Sequence, residues 1–304
     1  MKAPRVRPNS PLPLGSKVIT ADRGGKQGLQ KNIANAYNEG SVFAPIRRNM
    51  NKDMLAMARR NYGYGRWEAP YWFIGPEQGM GPHEKGLDRR LKAWQDLGSR
   101  ELNDCRAFHC RIHEIRWHCK KPKVQLQRTW RPLMLSMMTF LPNGKADNES
   151  LRIYQRDRWG ALDEELGETC VIELSGLAAP NAKEAKDTTL FLSERIEYMR
   201  NKIRNHRPKL VVMYGREQWN SWKAIANAVP GCESLSDDSA PGQLPKTSIL
   251  TDKTTILVCT PHPSRPIWDG TKYLGNEYWI RLGNNLRDLT YTVNNCLTRR
   301  TPTT

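Results

Sequence analysis

Four short apolar runs constrain this chain most: YWFI at 71–74, CVIEL at 170–174, KLVVMY at 209–214 and TTILVCT at 254–260. Each is shorter than an ordinary helix and lacks the polar alternation of a half-wet strand, so each reads as a strand covered on both faces. Helical patterning separates each from the next. From Leu87 onward, Leu91, Trp94, Cys105, Phe108, Ile112, Ile115 and Cys119 recur at steps of three, four or their multiples, which predicts one helical stripe facing a core. In LFLSERIEYMRNKIRNH, Leu192, Ile196, Met199 and Ile203 share a face, and Pro208 closes the helix before the third strand. The Met-rich QLQRTWRPLMLSMMTFL reads as a packed helix. The alternation predicts an α/β fold, a three-layer α/β/α sandwich around a central, mostly parallel four-stranded sheet. In such sheets the working residues lie in loops beyond the carboxyl ends of the strands.

A length of 304 residues suits one principal core with extensions. Residues 1–65 are rich in Pro, Gly, Asn, Lys and Arg, and read as a basic, partly mobile arm in which Arg5, Arg7 and Lys17 add charge. Residues 66–293 form the expected principal domain, and 294–304 a frayed tail. Turn formers between Val229 and Ser248 predict a long surface loop. The balance of 48 Lys and Arg against 31 Asp and Glu gives a net charge of +17, which favours a polyanionic partner, with nucleic acid the first candidate. No apolar run approaches a membrane span, and the N-terminus lacks the apolar stretch of a secretory signal, so a cytoplasmic protein with seven free thiols is expected.

The residues after each strand are GPEQGMG, SGLAAPN, GREQW and PHPSRP, so polar punctuation gathers on one edge of the sheet. No phosphate-cradling GxxxxGKS or GxGxxG is present, and no cofactor is expected. The pair FIGPEQG (Phe73 to Gly79) and CTPHPSR (Cys259 to Arg265), with KLVVMYG between them, resembles the signature motifs of the uracil-DNA glycosylase superfamily in order and spacing. The resemblance covers about residues 66–290. It implies a monofunctional DNA glycosylase that flips a pyrimidine out of DNA and hydrolyses its N-glycosidic bond, acting as a monomer with DNA as its partner. Cleavage leaves positive charge on the sugar and negative charge on the base, so a carboxylate is needed on one side and a donor on the other. By the resemblance, Glu77 steadies the sugar cation and orients water, and His262 donates to the pyrimidine O2. Ser264 then contacts a phosphate, and Arg265 with its neighbours enters the gap left by the flipped nucleotide. Gly75, Pro76 and Gly79 border the base pocket, and the glycines allow close approach of the ligand. Read without the resemblance, a carboxylate beside glycines also fits a helix cap, and His-Pro also fits a turn.

Two departures bear on the substrate. The uracil-specific branch carries a tyrosine that blocks the pyrimidine 5-position, where this sequence has Gly79. That branch also reads uracil with an asparagine, and the nearest match here is Glu173, which accepts from the N4 amino group of cytosine and cannot donate to uracil O4. The expected substrate is a cytosine derivative with a large 5-substituent, like those in modified phage DNA, since the superfamily includes prokaryotic antiviral glycosylases. The alternatives are a uracil-excising repair enzyme and a catalytically silent DNA-binding protein.

The family's iron-sulfur branch needs cysteines before the first motif, and Cys105 is the earliest here. The cluster DCRAFHCRIHEIRWHC invites zinc, but helical spacing places Cys105 and Cys119 on the apolar stripe and leaves only His109, Cys110 and His113 together, so no metal ligand is assigned. After the histidine motif, Trp268, Lys272, Tyr273, Tyr278 and Trp279 mix aromatic and basic character. Trp268 and Lys272 are the expected DNA contacts, whereas Trp279 reads as core.

Overall fold

The computed structural model describes residues 50–76, 79, 86–119, 124–178, 190–232, 244–252 and 254–298, with side chains as far as 290. Residues 1–49 lie outside this description, and the compact unit that is described begins at Met50. All four apolar runs are strands: β2 (Tyr71–Gly75), β4 (Thr169–Glu173), β5 (Leu210–Tyr214) and β7 (Ile256–Thr260). They pair in parallel in the order β4-β2-β5-β7. The expected count of four is too low, because three more strands extend this block to seven among the described residues. β1 (Gly63–Tyr64) pairs antiparallel with β4, β3 (Leu102–Asn103) pairs with β1, and β6 (Ser248–Thr251) pairs antiparallel with β7. β1 and β3 have two residues each, too few to show any period, and β6 is a half-exposed edge without a continuous apolar run.

Strand alternation divides the core between the two faces of the sheet. Phe73, Val171, Val212 and Val258 join one apolar cluster, while Trp72, Ile172, Met213 and Leu257 join the other. Eight α-helices accompany the sheet among the described residues. α1 (Lys52–Arg60) is capped by Asn51, whose side chain accepts from the Met54 N–H at 2.8 Å. It buries Met54, Met57 and Ala58. With β1, this helix moves the start of the core from the expected residue 66 back to Met50; the stretch is polar because only one narrow face is buried.

The single stripe expected from Leu87 to Cys119 is two helices and a turn. α2 (Gly86–Asp96) ends where Gly98 and Ser99 take positive φ, and β3 intervenes before α3 (Cys105–Arg111), which Asp104 caps. Leu91, Trp94, Cys105, Phe108 and Ile112 are buried as the spacing predicts. His113 then turns left-handed at φ 62°, leaving Ile115 54% exposed in a 3₁₀ turn at Ile115–Trp117. α4 (Trp130–Phe140) is the expected Met-rich core helix, and α5 (Asn148–Asp157) follows with Asp147 as its cap. α6 (Leu192–His206) buries Met199 and Ile203 and stops at Arg207, in left-handed conformation just before Pro208.

α7 (Trp219–Ala226) precedes the expected surface loop. Val229, Cys232, Leu244 and Thr247 at the ends of that loop are buried, and residues 233–243 lie outside the described residues. α8 (Asn276–Thr298) continues into the expected tail as far as Thr298, and 299–304 lie outside the described residues. It packs on α4 so closely that a Cβ on Gly283 would sit 2.4 Å from the Ser136 carbonyl oxygen. No helix among the described residues is long and apolar enough to cross a membrane.

Candidate active site

The parallel strands bring their carboxyl ends to one edge. There, register sets Gly75 beside Glu173 and Tyr214 beside Thr260. The pairing of β2 with β4 continues past the strands, because the Leu174 N–H donates to the Gly75 carbonyl at 2.8 Å and the Ser175 N–H to the Pro76 carbonyl at 3.0 Å. Both Gly75 and Pro76 are buried. This fixes the backbone immediately before Glu77. Glu77 itself, with Gln78 and Gly81, lies outside the described residues.

Gly75 has a sharper reason to be glycine than ligand access. A Cβ there would fall 2.2 Å from the Tyr214 hydroxyl oxygen and 2.7 Å from Glu173 Oε2, so these two groups, and no ligand, fill the space over the glycine. Tyr214 was not among the residues singled out by sequence, since it closes an apolar strand and its hydroxyl gives no periodic signal. Gly79 is exposed, and a Cβ on it would meet nothing within 4 Å among the described residues.

Glu173 is 5% exposed. Its backbone is held on both sides: the N–H donates to the Tyr62 carbonyl at 2.9 Å, and the carbonyl accepts from Arg195 Nη2 at 2.8 Å. Arg195 is wholly buried and also donates to the Leu174, Ala58 and Arg59 carbonyls, over the face of the Tyr62 ring. One guanidinium thus ties α1 and α6 to the end of β4.

After β7, Pro261 leads into the His262-Pro263-Ser264 turn, closed by the Arg265 N–H donating to the His262 carbonyl at 3.0 Å. His262 is partly buried, and its ring lies 5.7 Å from that of Tyr214, edge to face. Its Nδ1 meets the Ser264 backbone N–H at 3.3 Å and the Ser264 Oγ at 2.9 Å. A backbone N–H only donates, so Nδ1 is the acceptor and the ring proton sits on Nε2. Burial lowers the His262 pKa from its ordinary value; the Glu217 carboxylate opposes that shift and the Arg265 guanidinium adds to it. A neutral imidazole donor is the result. Ser264, expected to contact phosphate, spends its hydroxyl on orienting His262.

Arg265 is exposed, with its guanidinium 3.9 Å from Glu217. It lines a cleft of about 610 Å³ together with Arg128, Arg131, Ser264 and Tyr273. Arg131 is anchored there by Asn276 Oδ1 at 2.7 Å. Beyond the cleft, β8 (Trp268–Asp269) and β9 (Lys272–Tyr273) form a hairpin that turns through Gly270 at φ 59°. Ile267 and Leu274 are buried at its base. Next to that base, the cross-strand pair Trp268 and Tyr273 is 53% and 57% exposed, with rings 5.6 Å apart. Lys272 is held by Glu277 at 2.7 Å, so its charge is already met within the chain. Tyr278 and Trp279 are core.

The edge therefore brings together Gly75, Pro76, Glu173, Tyr214 and His262, with Ser264 behind the histidine. Trp268 and Lys272 stand apart on the hairpin. No protein-family model matches the chain, and no curated protein aligns with it significantly.

Proposed function

We propose that this chain is a monofunctional DNA glycosylase whose catalytic centre is the strand edge at Gly75, Glu173, Tyr214 and His262. The observation that carries the reading is the neutral His262, held by Ser264 with its Nε2–H as the free donor, at the same edge as the buried Glu173 carboxylate. In the proposed reaction, the base is flipped into the pocket and water replaces it on the sugar, giving an abasic site and the free base. Nε2–H donates to the pyrimidine O2 as negative charge builds there, which matters most in the transition state. Glu77, two residues beyond Gly75 in the chain, steadies the sugar cation and orients the water. The four parallel strands serve as the middle layer of a three-layer sandwich, a reading supported by the apolar clusters on both faces of the sheet.

The cleft beside Ser264 and the hairpin beyond it suit DNA. Arg128, Arg131 and Arg265 offer charge for phosphates, while the paired Trp268 and Tyr273 rings offer stacking surface where a base has left the helix. Glu173 favours an amino-bearing pyrimidine, and the open space around Gly79 favours bulk at C5, so the substrate class is 5-substituted cytosine.

The test is base release from DNA containing uracil, cytosine, or hydroxymethylated or glucosylated cytosine, read by alkaline cleavage of abasic sites. Release from the modified cytosine DNA, abolished in Glu77→Ala and His262→Ala, is expected. Glu173→Gln keeps the shape but replaces an acceptor with a donor, and should shift preference towards uracil. Tight DNA binding with no release from any substrate would make the chain a silent binding protein.

A further inference from the structure

Cys105, His109 and His118 form a buried cluster that the proposed chemistry does not use. One ligand atom from each lies within 4.8 Å of the other two. Helical spacing alone groups His109 with Cys110 and His113. The fold breaks that grouping, because left-handed His113 ends the α3 segment and the following 3₁₀ turn carries His118 back over Cys105. Cys105 Sγ lies 3.6 Å from His109 Nδ1 and 3.6 Å from His118 Nε2. A tetrahedral zinc with Zn–S of about 2.3 Å and Zn–N of about 2.0–2.1 Å sets sulfur and nitrogen roughly 3.5 Å apart. Two edges of the expected polyhedron are therefore already in place.

We propose that Cys105, His109 and His118 are three ligands of a zinc site, with a water at the fourth vertex. One thiolate and two imidazoles suit zinc in preference to magnesium or calcium, which take oxygen ligands. On binding, Cys105 loses its thiol proton to solvent. His109 Nδ1, 2.7 Å from the Cys105 carbonyl, donates to it in the metal-free chain, and on binding that proton moves to Nε2. There it faces Glu114 Oε2 at 4.0 Å, the carboxylate–histidine pairing that orients many zinc ligands. The thiolate offsets part of the ionic charge, and the Glu114 carboxylate is shared with Arg90 Nη2, 3.6 Å from its Oε1. The site would fasten α3 to the turn that follows it, and it stands independently of the glycosylase reading.

The full chain, purified under reducing conditions without chelator, should carry about one zinc per molecule by elemental analysis. After stripping and reloading with cobalt, tetrahedral d–d bands and a thiolate charge-transfer band are expected. Cys105→Ser and His118→Asn should each lose the metal and the charge-transfer band or its intensity, with far-UV circular dichroism reporting whether the variant is folded. Cys110→Ser, whose sulfur lies 2.9 Å from that of Cys119, is the control and should keep the metal. A folded wild-type chain that takes up neither zinc nor cobalt overturns the proposal. So does metal that stays stoichiometric in both ligand variants, or loss in Cys110→Ser with retention in Cys105→Ser.

Discussion

At the scale of single residues, His262 and Ser264 give the sharpest test. If Ser264 acts by fixing the imidazole tautomer, Ser264→Ala removes about one hydrogen bond, ~1 kcal/mol, and should lower kcat roughly fivefold while DNA affinity stays unchanged. A phosphate contact would instead show as weaker binding with kcat kept, so single-turnover kinetics and a binding titration separate the two. The pH profile follows from the same ring. Burial makes the folded His262 harder to protonate than an unfolded histidine, so the neutral donor persists below the ordinary value near 6.5 and is lost only as pH falls through the lowered pKa. Protonation places a second donor at Nδ1, against the Ser264 N–H. Glu217 favours the protonated form, so Glu217→Gln should move the acid limb of kcat to still lower pH; a shift the other way would contradict this assignment. The histidine was legible because His-Pro-Ser follows an apolar strand. Tyr214 and Arg195 were not, since each sits inside an element whose pattern is already accounted for by packing.

Among the elements, α5 holds a junction that no pattern announces. Gln155 is wholly buried in that helix; its Oε1 accepts from the Gln127 N–H at 2.9 Å, and its Nε2 donates to the Trp117 and Gln125 carbonyls at 2.7 and 2.9 Å. One amide thereby anchors the chain on both sides of residues 120–123. Gln155→Ala leaves three backbone groups without that partner and should cost about 2–4 kcal/mol, measured by urea unfolding. A loss below about 0.5 kcal/mol would mean that water replaces the amide fully. The same junction shows what a sequence hides. The apolar strands and the helices α4 and α6 were readable because burial repeats along them at a fixed period. β1, β3 and the turn after α3 were not, because two-residue strands and a left-handed histidine obey tertiary contacts and leave no period to read. The β8–β9 hairpin did carry a signal, Gly270 at the first position of the two-residue loop Gly270-Thr271, which suits a tight turn between strands.

For the whole molecule, charge makes the testable statement. The proposed DNA face centres on the cleft at Arg128, Arg131 and Arg265, so binding should weaken steeply with salt. Replacing Arg128 or Arg265 by Gln should reduce the slope of log K against log salt by roughly 0.9 for each phosphate that the arginine neutralises. An unchanged slope in both would place the DNA elsewhere. Composition signalled a polyanionic partner but not its face, because net charge carries no position. The order β4-β2-β5-β7 has a consequence of its own. The first of these strands in the chain stands inside the block; the path leaves β2 to one side for β4, then crosses over to β5 and continues outward to β7. Winding reverses between β2 and β5, so the connections leaving their carboxyl ends part in opposite directions, and the Tyr214 hydroxyl and the Glu173 carboxyl occupy the place over Gly75 where they part. That parting belongs to the path of the chain, so substitutions of the side chains that fill it can change what the edge admits while leaving the strand order in place.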